Sequence, residues 1–123
     1  MLPLGAIINC ADNSGAKKLQ LIGIPGNISR RKLALLGDVV NAAVIGADAE
    51  ATVKDHSVVR VIIVRTKKET RRKDGSYVRF DDNAGVVVDK ENTMLGTRIF
   101  GPVAREIRDF GHLKIASLAK EVW

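Results

Sequence analysis

The chain is poor in the residues that cross-linking, metal binding and membrane passage require. A single cysteine, Cys10, excludes an intramolecular disulfide and a cysteine-built zinc cluster, and it suits a reducing compartment. Its neighbours Asn9 and Ala11, in a strand-like run, make it a packed thiol rather than a nucleophile. The two histidines, His56 and His112, have no companions at zinc-ligand spacing. Neither a phosphate-binding P-loop nor a dinucleotide-type glycine fingerprint occurs. Ser14, His56 and Asp38 can be drawn as a triad, but nothing brings them together, and Ser14 has a sufficient role in an Asp-Asn-Ser-Gly turn. An enzyme, a cofactor and a metal are all unexpected. No apolar run approaches the roughly 20 residues that span a bilayer, and Met1 to Ala6 lacks the basic opening and apolar core of a secretory signal. Aromatics make up 4% of the chain, which leaves Val, Ile, Leu and Ala to fill the interior.

What the chain has is positive charge and β-branched runs. It carries 20 Lys and Arg against 14 Asp and Glu, a net charge of +6 and a pI near 9.8. Between Arg60 and Arg79 alone, eight basic and two acidic residues leave +6, so the remainder of the chain is neutral. This stretch opens on Arg60-Val61-Ile62-Ile63-Val64-Arg65, passes through the polar run Thr66 to Gly75 and closes on Ser76-Tyr77-Val78-Arg79-Phe80. The ends favour strand, and Asp74-Gly75 supplies turn chemistry, so the segment reads as a hairpin with a long basic tip.

The other strands fall at Ile7 to Ala11, Lys17 to Ile24, Val39 to Ile45 and Ala84 to Val88. In the second, Leu19, Leu21 and Gly23 share one face, and Lys18, Gln20 and Ile22 the other. Short strands separated by Asp12-Asn13-Ser14-Gly15, Pro25-Gly26-Asn27 and an acidic loop at 46–55 predict an all-β barrel or sandwich. After Gly101-Pro102 the pattern becomes helical over Val103 to Asp109, and Leu113 to Leu118 makes a second short helix or an extended segment. At 123 residues, without a linker or repeat, one domain is expected over 1–123, with the barrel at about 1–95 and a helical tail at about 96–123.

Charge concentrated in one segment points to a polyanion. Each phosphate neutralised releases a condensed counterion, and arginine adds bidentate geometry. A second cluster at Arg30-Arg31-Lys32 and the arginines Arg98, Arg105 and Arg108 argue against a merely solvated loop. A membrane surface fits less well, because no basic amphipathic helix with bulky apolar anchors accompanies the charge. Tyr77 and Phe80 either stack on bases or belong to the core.

Several stretches resemble the universal family of large-subunit ribosomal protein fourteen. They are Val61 to Lys67, Asp74 to Ala84, Ala11 to Ala16, Gly37 to Val40, Gly96 to Glu106 and Lys114 to Ala119, which match in order over nearly the whole chain. The resemblance implies a small five-stranded β-barrel with a long basic β-hairpin and a short helical C-terminal region. It implies a structural constituent of the large ribosomal subunit, seated on large-subunit rRNA near the subunit interface. Implied partners are ribosomal proteins three and nineteen, small-subunit rRNA across an intersubunit bridge, and the ribosomal silencing factor. The implied rRNA contacts are Lys17, Arg30, Arg31, Lys32, Lys67, Lys68, Arg71, Arg72, Lys73, Arg79 and Arg98, while Arg105 and Arg108 fall in the region that meets neighbouring protein or the bridge. The sequence style is bacterial, which fits a ribosome of the bacterial cytoplasm or the mitochondrial matrix. Two positions depart from the pattern: Val61 stands where a small residue is usual, and His56 where the turn commonly has glycine. A reading from another class is a basic adaptor that docks regulatory factors through its tail and uses the charged loop for solubility.

Overall fold

The computed structural model describes residues 2–24, 33–48 and 53–123. The turn Pro25-Gly26-Asn27, the cluster Arg30-Arg31-Lys32 and residues 49–52 of the acidic loop lie outside the described residues. Within them run β1 (Leu2–Pro3), β2 (Ile7–Cys10), β3 (Ala16–Gly23), β4 (Leu33–Ala34), β5 (Val39–Ala47), β6 (Val58–Arg65), β7 (Thr70–Arg71), β8 (Tyr77–Val78), β9 (Ala84–Val88), α1 (Glu106–Asp109) and α2 (Leu113–Leu118).

Five of these strands close a barrel in the order β2-β3-β5-β6-β9. The neighbours are antiparallel except at the seam, where β2 and β9 run parallel through the pairs Asn9 with Ala84 and Cys10 with Gly85. Closure leaves these strands no free edge. Period-two alternation decides what the barrel holds: Leu19 and Leu21 of β3 and Val40, Ala42 and Val44 of β5 turn into its interior. Lys18 and Ile22, on the other face of β3, are exposed.

Strands β6 and β9 break that alternation because they are covered on both sides. Val61 and Ile63 join the barrel interior with Val87. Ile62 and Val64 join a second core with Val86, Val88, Ile99, Val103, Ile107 and Ile115 of the tail. That is why the sequence there reads as an unbroken apolar run, the signature of a strand buried on two faces. The C-terminal region is thus packed on the barrel wall.

Two expectations change. The strand at 76–80 does not pair with 60–65, whose partners are β5 and β9. Instead β8 pairs with β7, Thr70 opposite Val78 and Arg71 opposite Tyr77, so the arm is a ribbon of its own with a short tip. It joins the barrel where the Phe80 amide donates to the Thr66 carbonyl at 3.0 Å. Every ladder position of β6 opposite 76–80 is already taken by the barrel, and the ribbon forms from the polar run. The first tail helix also starts later than the apolar spacing predicts. The Ala104 amide donates to the Val64 carbonyl at 3.0 Å, and the Val103 amide to the Glu121 carbonyl at 3.0 Å. These bonds hold 103–104 extended against neighbouring chain, and α1 begins only at Glu106.

Candidate nucleic-acid interface

The base of the arm is fixed by a buried arginine. A register shift between Ile63 and Arg65 interrupts the β6–β9 ladder. Such a bulge re-aims the following side chain, and here Arg65 points inward at 7% exposure. Its Nε donates to Asp82 Oδ1 at 2.9 Å and its Nη2 to Oδ2 at 3.3 Å. Its Nη1 donates to the carbonyls of Phe100 at 2.7 Å and Pro102 at 2.9 Å. One guanidinium therefore joins β6, the segment after the arm and the start of the tail.

Burial raises the Asp82 carboxyl, but hydrogen bonds from Asn9 and Arg65 and the guanidinium charge outweigh it and hold the group below the ordinary aspartate range. A carboxyl that is the stronger acid when folded contributes stability above the unfolded value, near 3.9, and loses it as pH falls through the folded one. Thermal midpoints measured from about pH 5 down to about pH 2 should therefore fall more steeply for the native chain than for Asp82→Asn. Parallel curves would contradict this assignment.

The arm itself is shaped by local chemistry. The Lys67 amide donates to Asn83 Oδ1 at 2.7 Å, and the Arg72 amide to the Ser76 carbonyl at 2.8 Å. At the tip, Gly75 has φ +87°, which glycine adopts without a Cβ clash. Asp74 Oδ1 accepts from the Ser76 amide at 2.9 Å and hydroxyl at 2.6 Å, bonds that lower the acid's pKa.

The ribbon is also tied down. Arg72 Nε donates to Glu106 Oε1 at 2.7 Å and Nη2 to Oε2 at 3.3 Å, with both side chains mostly buried. The same Nη2 donates to the carbonyl of Trp123. The arm therefore lies back over α1, enclosing a cleft of about 500 Å³ lined in part by Arg71, Lys73, Arg105 and Asp109. Arg72, expected among the rRNA contacts, is held inside the molecule by this fork. Lys67, Lys68, Arg71, Lys73 and Arg79 are exposed, with no side-chain hydrogen bond or ion pair to other described residues.

The remaining candidates are spread over the barrel and tail. Lys17 is exposed on β3, and Arg105 and Arg108 are exposed at and within the first tail helix. Arg98 is exposed on a loop clamped from the Asp12-Asn13 turn. There Asn13 Oδ1 accepts from the amides of Thr97 at 2.7 Å and Arg98 at 3.0 Å, and Asn13 Nδ2 donates to Thr97 Oγ1 at 3.0 Å. The clamp needs Gly96, since a Cβ there would stand 2.6 Å from Asn13 Oδ1. Buried Asp12 anchors the turn, its Oδ2 accepting from the Val87 amide at 3.0 Å and its Oδ1 from the Ser14 hydroxyl at 2.7 Å.

The residues with latent chemistry are engaged locally. Ser14 is bound to Asp12, His56 contacts Asp55 at 3.5 Å, and Asp38 accepts from the Leu35 amide at 2.6 Å. Among the described residues no three His, Cys, Asp or Glu side chains gather as a metal-binding group. Burial, and then the Asp12 carboxylate, push the Cys10 thiol up to about 12. At pH 8 the folded chain should react with a thiol reagent about a hundredfold more slowly than the unfolded chain, scarce thiolate outweighing its greater nucleophilicity. Equal rates would show that Cys10 is not held this way.

A closed five-stranded β-barrel with exposed cations along one ribbon defines the class, a small basic β-barrel protein. Over residues 1–123 the sequence matches the model of the family "Ribosomal protein L14p/L23e". It is 54% identical over 123 residues to the large ribosomal subunit protein uL14 of Petrotoga mobilis, covering all of both chains. It is 53% identical over 122 residues to the protein of the same name from Aquifex aeolicus, covering 99% of each. The chain belongs to the L14p/L23e family of ribosomal proteins: it is a structural constituent of the large ribosomal subunit and not an enzyme.

Proposed function

We propose that this protein binds large-subunit ribosomal RNA through the outward cations of its arm and fixes the approach of RNA helices beside it. One observation carries this reading: Lys67, Lys68, Arg71, Lys73 and Arg79 are exposed and unpaired among the described residues, whereas the adjacent Arg65 and Arg72 are committed to internal carboxylates. Charges left unneutralised along one ribbon suit phosphates, which position a protein on RNA without specifying bases. Lys17 and Arg98 extend the same chemistry onto the barrel, and Arg30, Arg31 and Lys32 join it on sequence grounds. Arg72 acts by holding the ribbon in place.

On this reading the exposed arginines of the tail, Arg105 and Arg108, face neighbouring ribosomal proteins or the bridge to small-subunit rRNA. Ribosomal proteins three and nineteen and the silencing factor are the partners that the family resemblance implies there. The bacterial relatives favour a ribosome of the bacterial cytoplasm. The core shared by β6, β9 and the tail supports reading residues 1–123 as one domain.

A salt titration tests the arm. Binding to a large-subunit rRNA fragment should weaken linearly in log affinity against log salt. Replacing Lys67, Lys68 and Lys73 by glutamine should make that slope shallower by about two to three, at roughly 0.7–0.9 for each phosphate no longer neutralised. Arg72→Gln should change the slope by less than about 0.7, because Glu106 already neutralises that guanidinium. An unchanged slope in the triple variant would sink the reading and favour the adaptor alternative.

A further inference from the structure

Beside the root of the arm lies a second cleft, of about 490 Å³, that the cations of the ribbon do not explain. The volume falls within the range of about 300–1,000 Å³ typical of small-ligand sites. Phe80 and Pro102 give it apolar lining, Trp123 an aromatic wall, and Arg79, Asp81 and Glu121 a charged rim. Trp123 is 57% exposed yet anchored. Its indole Nε1 donates to Glu121 Oε2 at 2.9 Å, its amide to the Val103 carbonyl at 2.9 Å, and its carbonyl accepts from Arg72. A large aromatic that is fixed in place and left outside both cores costs the molecule exposed apolar surface without filling an interior.

We propose that this cleft takes one unpaired, amino-bearing RNA base, stacked against Trp123, with its phosphate at Arg79. Stacking on an aromatic is open to any base, and the rim supplies the selection. Asp81 is exposed and has no side-chain hydrogen bond or ion pair to another described residue, so its carboxylate is available to accept. Guanine offers a ring N–H and an amino group side by side to such a carboxylate. Uracil offers one ring N–H flanked by two carbonyls, whose partial negative charges oppose the carboxylate. An acidic rim would weaken a site built for phosphate alone, whereas Arg79 beside Asp81 matches a nucleotide with an anionic end and a donor edge. The inference rests on the RNA-binding reading and adds to it a base-sized subsite.

Trp123 is the chain's single tryptophan, so its fluorescence reports the cleft directly. The probes are decauridylate carrying one central guanosine, plain decauridylate, and a duplex of the same length. The guanosine strand should quench Trp123 saturably, plain decauridylate severalfold more weakly, and the duplex negligibly. Trp123→Leu should weaken binding of the guanosine strand roughly 5- to 150-fold, and Trp123→Phe should retain most of it. Asp81→Asn, a rim change that leaves both cores intact, should abolish the preference for guanosine. Equal quenching by the three probes, or equal affinity of a folded Trp123→Leu protein, overturns the inference. If the lysine triple variant flattens the salt slope while Trp123→Leu changes nothing, the base site falls and the arm's role stands. If Trp123→Leu weakens binding while the slope is unmoved, the arm's role falls and the base site stands.

Discussion

Replacing Arg65 by methionine is expected to lower the stability of the protein by about 3 kcal/mol, although the new side chain is apolar and of similar length. The guanidinium makes four hydrogen bonds, to both oxygens of Asp82 and to the carbonyls of Phe100 and Pro102. Methionine takes the donor from Asp82 Oδ1 and from both carbonyls, and leaves Asp82 Oδ2 with the Asn9 side-chain amide alone, at 3.1 Å. Asp82 is partly exposed and regains water, which moderates the loss, but the two carbonyls face the space the guanidinium filled. Gly101 shows how closely the chain is drawn in: a Cβ at that residue, where φ is +82°, would stand 2.5 Å from Arg65 Nη1. Denaturant unfolding at neutral pH checks the value, with the midpoint moving and the slope nearly constant. Arg65→Lys keeps the charge but lacks the fork, and it should recover only part of the loss. A loss below about 1 kcal/mol for the methionine variant would mean that water replaces the arginine at little cost.

Arg65 also shows where the sequence stopped being legible. Its position after an apolar run was visible, and it counted toward a cluster of surface charge. Its partners lie 17, 35 and 37 residues further on, and no local pattern announces them. The same holds for Arg72, whose carboxylate partner is 34 residues away on α1. Local pattern, by contrast, placed β3, β5, β6 and β9 to within about two residues at either end: the half-buried β3 and β5 write their faces into the chain at period two, and β6 and β9, covered on both sides, stand out as apolar runs. It could not tell that β8 pairs with β7 rather than with β6, since pairing is settled by competition for the ladder. Exposure also split the two aromatics of the arm, Phe80 being buried in the barrel core and Tyr77 63% exposed. His56, where the resemblance implies glycine, has φ +62°, a conformation that glycine takes freely and histidine adopts under strain.

The other departure, Val61, leads to the second large effect: Gly85→Val is expected to remove more than about 3 kcal/mol, and Gly85→Ala about 2 kcal/mol. Gly85 lies at the seam, opposite Ile63 of β6 on one side and Cys10 of β2 on the other. A Cβ on it would stand 2.3 Å from Val61 Cγ1, 3.1 Å from Ile8 Cδ1 and 3.3 Å from the Ile62 carbonyl. Val61 is wholly buried and its branched side chain is short, so it has little freedom to withdraw. The interior volume that Val61 fills is therefore available only because β9 presents glycine opposite it. Val61→Ala alone should cost about 2 kcal/mol through the cavity it opens, yet combined with Gly85→Ala it should cost less than the sum of the single changes by about 1–2 kcal/mol. Equilibrium unfolding of the two single variants and the double variant measures that coupling. Additivity to within about 0.5 kcal/mol would mean that the barrel absorbs the new methyl elsewhere, and that the contact between Val61 and Gly85 does not set the width of the seam.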